Sequence, residues 1–244
     1  MMWSKLSSVE RPSRLWFQRL LKRAFDLGFT LVASLVLLPV AMLVSLIILL
    51  DSPGPILYRS VRVGRGGRKF TLYKFRTMVP QAEELGPSVT HRGDSRVTRV
   101  GRLLRRTKFD EFPQVLNVLR GEMSIVGPRP ELPKYVALFP EEYQELLRMR
   151  PGLTSLAQIA YRDEEDLLPD EGTEAYYITQ VLPRKLALDL YYVRHWSLAL
   201  DFQVFCIGLL ALLRIPVPSR LWPVKEEPAP PSYPALDGGQ EARR

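Results

Sequence analysis

The sequence predicts an α/β fold: a membrane-associated monotopic domain with a small β-hairpin sheet and interfacial amphipathic helices. Three observations predict this class. An uncharged apolar run covers residues 27–50, two β-prone segments joined by a glycine-rich turn follow it, and short helical patterns with one apolar face come after them. The apolar run is expected to form an N-terminal re-entrant helix that is kinked at Pro39.

The apolar run is long enough to cross a bilayer, because about 20 helical residues span a hydrocarbon core of about 30 Å. Pro39 lies near its middle, where it removes a backbone hydrogen bond and favours a break. Both flanks are basic, and basic flanks stay on the cytoplasmic side, which a single crossing cannot satisfy. The residues therefore favour a re-entrant helix, which enters and leaves the membrane on one face. A kinked transmembrane helix is the second alternative, and a buried helix in the core of a soluble protein is the third. The basic residues are Arg11, Arg14, Arg19, Lys22 and Arg23 before the run, and Arg59, Arg62, Arg65, Arg68 and Lys69 after it.

The patterns after the apolar run alternate between strand and helix. Ile56–Val63 and Lys69–Phe75 are β-prone and predict a hairpin. Short helices are predicted over Thr98–Arg106 and Asp110–Arg120, and the longer pattern Pro183–Arg214 carries the aromatic residues typical of a membrane interface. The expected units are a basic N-terminal segment at 1–21, the re-entrant helix at 22–51, a domain on the cytoplasmic face at 52–214 and a disordered proline-rich tail at 215–244.

Composition limits the kinds of partner. The 244 residues carry 34 lysines and arginines against 26 acids, a formal net charge of +8. This excess suits nucleic acid, anionic lipid headgroups or phosphate-bearing substrates, and it does not choose among them. The single cysteine, Cys206, excludes an intrachain disulfide, and the spacing of His91 and His195 does not predict a zinc site.

The densest polar stretch is 94–111, where six basic residues lead into the adjacent acids Asp110 and Glu111. The dipole of a helix stabilises a carboxylate or a bound phosphate at its start. An anionic nucleophile can attack a phosphoryl group only where cations neutralise the repulsion. On the residues alone a second interpretation stays open, in which Asp110 is an N-cap, Glu111 a first-turn charge and the basic residues a solvated or headgroup-facing surface. The basic residues are Arg96, Arg99, Arg102, Arg105, Arg106 and Lys108.

From Lys22 to Asp201 the chain resembles the bacterial sugar transferases, the monotopic polyprenyl-phosphate phosphoglycosyl transferases. The most specific part is 94–130, which keeps the pattern DE-x-PQ-x-x-NV-x-x-G-x-MS-x-VGPRP intact. The other matching segments follow in the family's order. They are KRAFD at 22–26, the apolar run with its central proline, YKFRTM at 73–78, PGLTSLAQ at 151–158 and KLALDLYYVRHWSLALD at 185–201.

The resemblance implies an enzyme that moves a sugar 1-phosphate from a UDP-sugar to polyprenyl (undecaprenyl) phosphate. In the family the acidic pair is catalytic, so Asp110 would attack the sugar-linked phosphate, release UMP and carry a covalent phosphosugar until the lipid phosphate accepts it. Glu111 would hold Mg²⁺ together with Asp110 or manage a proton, two roles that the sequence does not separate. Family members keep a re-entrant helix at the bacterial inner membrane, with the catalytic domain on the cytoplasmic face. Their reaction is the first membrane step of surface glycan synthesis, for capsule, exopolysaccharide, O-antigen or glycoprotein.

Further site residues carry over from matching family positions. They are Lys74 and Arg76 in the strand that borders the site, Arg105 and Arg162 at phosphate-contacting positions, Pro128, Arg129 and Pro130 in the segment associated with the nucleotide base, and Pro39 at the break of the membrane helix. The implied partners are a UDP-sugar, a polyprenyl phosphate lipid and the membrane, without nucleic acid. A homodimer and downstream glycosyltransferases are further candidates.

The chain departs from the family pattern at a few positions. Ser155 stands where glycine is usual and Ala160-Tyr161 replace a common Asn-Gly, which leaves the sugar open; Leu38 stands where some members have serine. Three other hypotheses compete with this interpretation. A membrane-anchored basic nucleic-acid binder has no helix-turn-helix, RNP or zinc-finger pattern to support it, and an inactive scaffold would predict damaged acids. A polytopic phosphoglycosyl transferase would need several apolar runs of spanning length.

Overall fold

The computed structural model describes residues 12–226 and 228–231, which form a mixed helix and strand fold with two small sheets and one long apolar N-terminal helix. The strands are β1 (Leu57–Val63), β2 (Lys69–Phe75), β3 (Ser124–Val126) and β4 (Gly152–Thr154). The helices are α1 (Pro12–Asp51), α2 (Arg99–Thr107), α3 (Val115–Leu119), α4 (Pro133–Val136), α5 (Pro140–Leu146), α6 (Leu156–Ala160), α7 (Thr173–Tyr176), α8 (Leu182–Arg194) and α9 (Leu198–Leu212).

Helix α1 runs without interruption from residue 12 to residue 51 and contains Pro39. Within the described ranges it is the one helix that is long and apolar enough to cross a membrane, by length and composition. Most of its large apolar side chains are exposed. The helix thus begins before the predicted boundary at residue 22, and the predicted break at Pro39 is not confirmed, because one missing hydrogen bond is tolerated in a long apolar helix. Its buried side chains lie at helical spacing on one stripe: Asp26, Thr30, Ala41 and Ile48.

Buried polar contacts attach the N-terminal part of α1 to strand β3. Asp26 accepts hydrogen bonds from the Ser124 hydroxyl at 2.8 Å and from the Ile125 backbone N–H at 3.0 Å. Lys22 forms an ion pair with Asp201 at 2.8 Å. The residues that precede the apolar run are therefore fixed on the domain.

A second set of contacts attaches the C-terminal end of α1. The guanidinium of Arg76 donates to the carbonyl oxygens of Ser52 and Pro53, both at 2.7 Å. The backbone N–H of Val100, in α2, donates to the Asp51 carboxylate at 3.3 Å. Both ends of the apolar run are therefore tied to the same domain.

The predicted hairpin is confirmed. Strands β1 and β2 pair antiparallel, in a register that runs from Leu57 opposite Phe75 to Val63 opposite Lys69. In the turn between them Gly66 has a φ of 69°, a left-handed conformation that glycine adopts without strain. The second sheet pairs β3 and β4 in parallel, and α6 follows β4 directly along the chain.

Two predicted helices are divided in the structure. In place of one helix over Asp110–Arg120, a 3-10 helix precedes α3, because Pro113 has no N–H to continue the α-helical hydrogen bonds. The pattern over Pro183–Arg214 forms α8 and α9, and the Ser197 side chain caps the start of α9. The first predicted helix is confirmed as α2, with Thr98 as its N-cap.

Residues 215–224 differ from the predicted disordered tail, because they pack against the domain. Val224 is buried in the main hydrophobic core, and the Tyr191 hydroxyl donates to the carbonyl oxygen of Pro223 at 3.0 Å. Burial of apolar side chains here outweighs the proline-rich composition from which disorder was predicted. The part of the predicted tail at 232–244 lies outside the described residues.

Candidate active site

The acidic pair, Asp110 and Glu111, lies where α2 ends and a 3-10 helix begins. Lys108 follows α2 in a left-handed conformation (φ 58°, ψ 14°), and its backbone N–H donates to the carbonyl oxygen of Arg105 at 3.1 Å. The chain reverses there, and both acids fall in the first turn of the 3-10 helix Phe109–Gln114. Their side chains are buried, with residue exposures of 6% and 7%. Two adjacent carboxylates are thus enclosed next to β2.

Both carboxylate oxygens of Glu111 are occupied. Oε1 lies 2.8 Å from Lys74 Nζ and accepts a hydrogen bond from the Arg129 guanidinium at 3.0 Å. Oε2 accepts from the Gln158 side-chain amide at 2.9 Å. Burial alone would raise the pKa of Glu111, but the charges of Arg129 and Lys74 and their hydrogen bonds hold that pKa well below its usual value. Glu111 is therefore a fixed, ionised group.

One carboxylate oxygen of Asp110 is free. Oδ2 lies 4.0 Å from Lys74 Nζ, whereas the buried Oδ1 has no hydrogen-bond partner among the described residues. Burial raises the pKa of Asp110, and the charge of Lys74 opposes this increase. A poorly solvated, unpartnered carboxylate oxygen can act as a nucleophile or bind a hard cation.

The segment that contains Arg129 is held from its backbone. The Arg129 N–H donates to Asp189 Oδ2 at 2.8 Å, and Asp189 Oδ1 also accepts a longer hydrogen bond, 3.4 Å, from the Ala157 N–H. Burial raises the pKa of Asp189 to about 6, although both backbone hydrogen bonds favour its ionised form. Asp189, in α8, thus positions the guanidinium that contacts Glu111.

Pro128 and Pro130 border Arg129 and contact neighbouring strands through their carbonyl oxygens. Pro128 accepts from the Gly152 N–H at 2.8 Å, and Pro130 accepts from the Arg62 guanidinium at 3.3 Å. A Cβ placed on Gly127 would lie 2.5 Å from a carbonyl oxygen of the segment before β4. This close approach of two backbone segments requires glycine at position 127. It also fixes the position of the following residues, Pro128, Arg129 and Pro130, beside the acidic pair.

Arg105 lies in the last turn of α2, and its charge acts on the acidic pair. Its Nε donates to the Thr77 hydroxyl at 2.9 Å, and one terminal nitrogen forms a 2.8 Å ion pair with Glu165. Its charge also lowers the pKa of Asp110, though less than that of Lys74 does. The charge of this predicted phosphate-contacting residue therefore acts on the free carboxylate, and its guanidinium is paired with an acid of the 3-10 helix Glu164–Asp166.

Two other predicted site residues contact different parts of the structure. Arg76 binds the carbonyl oxygens at the end of α1. Arg162 donates to the Leu212 carbonyl at 3.4 Å and lines a cavity of about 580 Å³ together with Arg214. Neither forms a hydrogen bond or ion pair with Asp110 or Glu111 in the described structure. Their roles in substrate binding stay predictions.

Four residues around the pair were not predicted as site residues: Lys108, Gln158, Glu165 and Asp189. Gln158 and Asp189 lie in segments that carry the family resemblance, and an acid between leucines in α8 is a signal that could have singled out Asp189. Lys108 is one of six basic residues in 94–111, and its position in that stretch does not single it out. Glu165 gave no signal, because it lies in a run of four acids, Asp163–Asp166, that is typical of a solvated loop.

Comparison with known proteins gives a profile match to the bacterial sugar transferase family over residues 17–214. Undecaprenyl-phosphate glucose phosphotransferase from Komagataeibacter xylinus is 42% identical over 209 residues, which cover 82% of this chain and 37% of that protein. UDP-glucose:undecaprenyl-phosphate glucose-1-phosphate transferase from Caulobacter vibrioides is 42% identical over 198 residues, with coverages of 79% and 69%. Exopolysaccharide production protein PSS from Rhizobium leguminosarum bv. phaseoli is 40% identical over 192 residues, with coverages of 75% and 90%.

The profile match covers most of α1, both sheets and every residue that contacts the acidic pair. The chain spans little more than a third of the first of these relatives and most of the third. The chain therefore belongs to the bacterial sugar transferase family.

Proposed function

We propose that the chain transfers a sugar 1-phosphate from a UDP-sugar to undecaprenyl phosphate and releases UMP, as the first membrane step of exopolysaccharide or other surface glycan synthesis. One observation carries the proposal. In a buried acidic pair surrounded by cations, both carboxylate oxygens of Glu111 have partners, whereas Asp110 Oδ1 has no hydrogen-bond partner among the described residues. Two of the relatives are named for transfer of glucose or glucose 1-phosphate to undecaprenyl phosphate.

The reaction proceeds in two displacements at one phosphorus atom. The free oxygen of Asp110 attacks the phosphorus that carries the sugar, an aspartyl O–P bond forms, and the bond to the nucleotide phosphate breaks as UMP leaves with the electron pair. An oxygen of undecaprenyl phosphate then attacks the same phosphorus, and Asp110 leaves as a free carboxylate. Lys74 and Arg105 lower the repulsion between the carboxylate and the phosphates. Glu111 keeps Lys74 and Arg129 in place.

The acidic pair can bind Mg²⁺ with only one or two protein ligands. The described residues contain no group of three His, Cys, Asp or Glu side chains placed to hold a metal ion. Mg²⁺ nevertheless keeps several waters and binds through one or two carboxylates plus substrate phosphates. Asp110 Oδ1 is a free oxygen of the required kind, and Glu111 would join it by giving up one of its present partners. When bound, the ion neutralises charge on the diphosphate and stabilises the leaving phosphate.

The contacts of α1 support a re-entrant arrangement on the cytoplasmic face of the inner membrane. Asp26 at one end of the apolar run and Asp51 at the other both bond to the same domain, although the run between them is largely exposed and apolar. A helix that crossed the bilayer would place these ends on opposite sides. Exposed apolar residues on α2, α3 and α9, among them Leu103, Leu116 and Phe202, support the interfacial placement of these helices.

Labelling of introduced cysteines tests the arrangement. In a Cys206→Ser background, Gln18→Cys and Ser52→Cys should react with a membrane-impermeant maleimide from the same side of sealed inverted vesicles. Reaction of only one of them in inverted vesicles, and of the other in right-side-out vesicles, would show a single crossing.

The activity is tested by UMP release from protein in nanodiscs with Mg²⁺, undecaprenyl phosphate and a panel of UDP-sugars that begins with UDP-glucose. Asp110→Asn should abolish turnover, whereas Asp170→Asn, which makes the same change at a largely exposed side chain, should retain it. Without lipid, the wild type should release about one UMP per active site and gain the mass of a phosphosugar on Asp110. Absence of UMP release with every UDP-sugar, from folded protein, would contradict the proposal.

A further inference from the structure

We propose that Lys108 is a further phosphate-contacting residue, whose ammonium binds the non-bridging oxygens of the phosphate group that reacts at Asp110. The proposal rests on the proposed function, because that function brings a phosphate to Asp110 in both half-reactions. It starts from the cations whose charges act on the acidic pair. The four cations are Lys74, Arg105, Lys108 and Arg129.

Three of these cations are held by carboxylates. Lys74 and Arg129 lie 2.8 and 3.0 Å from Glu111, and Arg105 lies 2.8 Å from Glu165. The ammonium of Lys108 has no ion pair within 4.0 Å and donates no hydrogen bond in the part of the chain that the structure describes. Of these four cations, Lys108 is thus the one that a substrate can bind without displacing a carboxylate of the described residues.

The charge balance of the pocket favours an anion at this point. The Arg105–Glu165 pair is neutral, and the carboxylates of Asp110 and Glu111 are opposed by three cations, which leaves one positive charge. Lys108 is partly buried, so its charge is only partly solvated. A phosphate oxygen would replace the lost solvation with a charge-assisted hydrogen bond.

The backbone fixes where this side chain starts. Lys108 has a φ of 58°, which is unfavourable for a residue with a Cβ and natural for glycine. Its N–H donates to the Arg105 carbonyl at 3.1 Å, and its carbonyl oxygen accepts from the Glu111 N–H at 3.2 Å. These hydrogen bonds hold the turn and belong to the backbone, so the turn itself does not require a lysine. The side chain is held two residues before the nucleophile.

The alternative is that Lys108 has only a structural role. Its positive charge would then stabilise the C-terminal end of α2, where cations interact favourably with the helix dipole. Arg106 is exposed on the same last turn and offers the same stabilisation without facing the acidic pair. Arg106→Met is therefore the matched control for Lys108→Met. Lys108→Gly adds a second test, because glycine removes the charge and relieves the left-handed conformation.

The experiment measures UMP release, binding of UDP and thermal unfolding for the wild type and four variants in nanodiscs with Mg²⁺. Lys108→Met and Lys108→Gly should each lower kcat/KM for the UDP-sugar by about 100-fold, while Lys108→Arg should lose less than about tenfold. Arg106→Met should stay within about twofold of the wild type. The Tm of Lys108→Gly should equal or exceed that of the wild type, which separates the loss of activity from a loss of folding.

If the wild type is active, either of two results would overturn the proposal. The first is a kcat/KM within about threefold of the wild-type value for both Lys108→Met and Lys108→Gly. The second is a low kcat/KM and a low Tm in Lys108→Met, with both values back at the wild-type level in Lys108→Gly. If the wild type releases no UMP, the proposed function fails, and the affinity for UDP then decides on Lys108. A Kd about tenfold weaker in Lys108→Met than in Arg106→Met supports the phosphate contact, and equal values overturn it.

Discussion

Replacement of Arg76 by methionine is expected to detach the C-terminal end of α1 from the domain. Arg76 is 7% exposed and donates to the carbonyl oxygens of Ser52 and Pro53 at 2.7 Å each, with a third, longer contact of 3.5 Å to Ile48. Methionine fills much of the same volume but donates no hydrogen bond. The variant therefore leaves these carbonyl oxygens without their partner.

The two short contacts set the size of the effect. A hydrogen bond from a charged donor contributes about 1.5–3 kcal/mol, so the loss of two amounts to about 3–6 kcal/mol of unfolding free energy. In a protein of this size each kcal/mol shifts the Tm by about 2–4 °C, which predicts a decrease of roughly 6–24 °C. The long contact to Ile48 adds little, since hydrogen bonds weaken at that distance.

Thermal unfolding in detergent measures this decrease, and kcat/KM is measured well below the lowered Tm. Arg68→Met removes the same charge from an exposed position next to β2 and should leave the Tm unchanged. Gly54→Ala should also weaken the attachment of α1 to the domain. The added Cβ would lie 2.2 Å from Arg76 Nη1, and the φ of +117° is unfavourable for alanine. Folded Arg76→Met protein should keep its activity.

The opposite pattern would refute this reasoning. A Tm within about 2 °C of the wild type, combined with a KM for the UDP-sugar raised tenfold or more, would mean that Arg76 contacts substrate. The resemblance to the family predicted that role, so the two measurements decide between a structural and a binding function for one residue.

Three further predictions concern the groups around the acidic pair. The kcat/KM profile should fall on the acid side with a midpoint above the ordinary aspartate pKa, because burial raises the pKa of Asp110 and the carboxylate is the reactive form in the proposed mechanism. Lys74→Met, which removes an opposing charge, should move this acid limb to higher pH. Glu165→Gln should lower the KM for the UDP-sugar by about two- to fivefold, because it releases Arg105 from a half-exposed ion pair. Gln158→Ala should lower kcat about tenfold, because a buried carboxylate loses its 2.9 Å amide donor.

Each of these has a result that would contradict it. A limb that Lys74→Met moves to lower pH would mean that another group controls the profile. A KM raised by Glu165→Gln would make Glu165 a substrate contact and not a competitor for Arg105. An unchanged kcat in Gln158→Ala, with unchanged Tm, would show that the amide does not help to hold Glu111.

Local patterns predicted the elements whose stability is local. The β1–β2 hairpin and α2 follow from strand propensity, a glycine turn and one apolar helix face, and the structure confirms them. The intact motif around Asp110 and Glu111 identified the acidic pair. None of these three predictions requires knowledge of the packing between segments that are distant in the sequence.

Apart from the helix division at Pro113 and the uninterrupted α1, the features that the sequence did not predict depend on contacts between distant residues. Arg76 reaches back 24 positions to Ser52, Arg105 reaches 60 positions to Glu165, and the segment before Val224 is ordered because it packs on the core. A composition rich in proline or acid indicates a loop or tail, but it cannot show whether another element binds that segment. Polarity alone likewise did not separate the Lys108 side chain from its exposed neighbours.

The two acids of the pair are adjacent in the chain, yet the structure gives them different chemistry. Burial would raise the pKa of Glu111, but Arg129 and Lys74 lower it, and the charge of Glu111 holds both cations in position. Among the residues that the structure describes, Asp110 receives no such donor on Oδ1, so burial dominates and its pKa is raised. The pKa values of these two neighbouring acids are therefore shifted in opposite directions. Glu111 is a permanent anion that holds cations in place, whereas Asp110 is a carboxylate with an oxygen available to react. Exchange of the two residues would therefore not preserve the site, because the difference comes from the surrounding donors and not from the acids themselves.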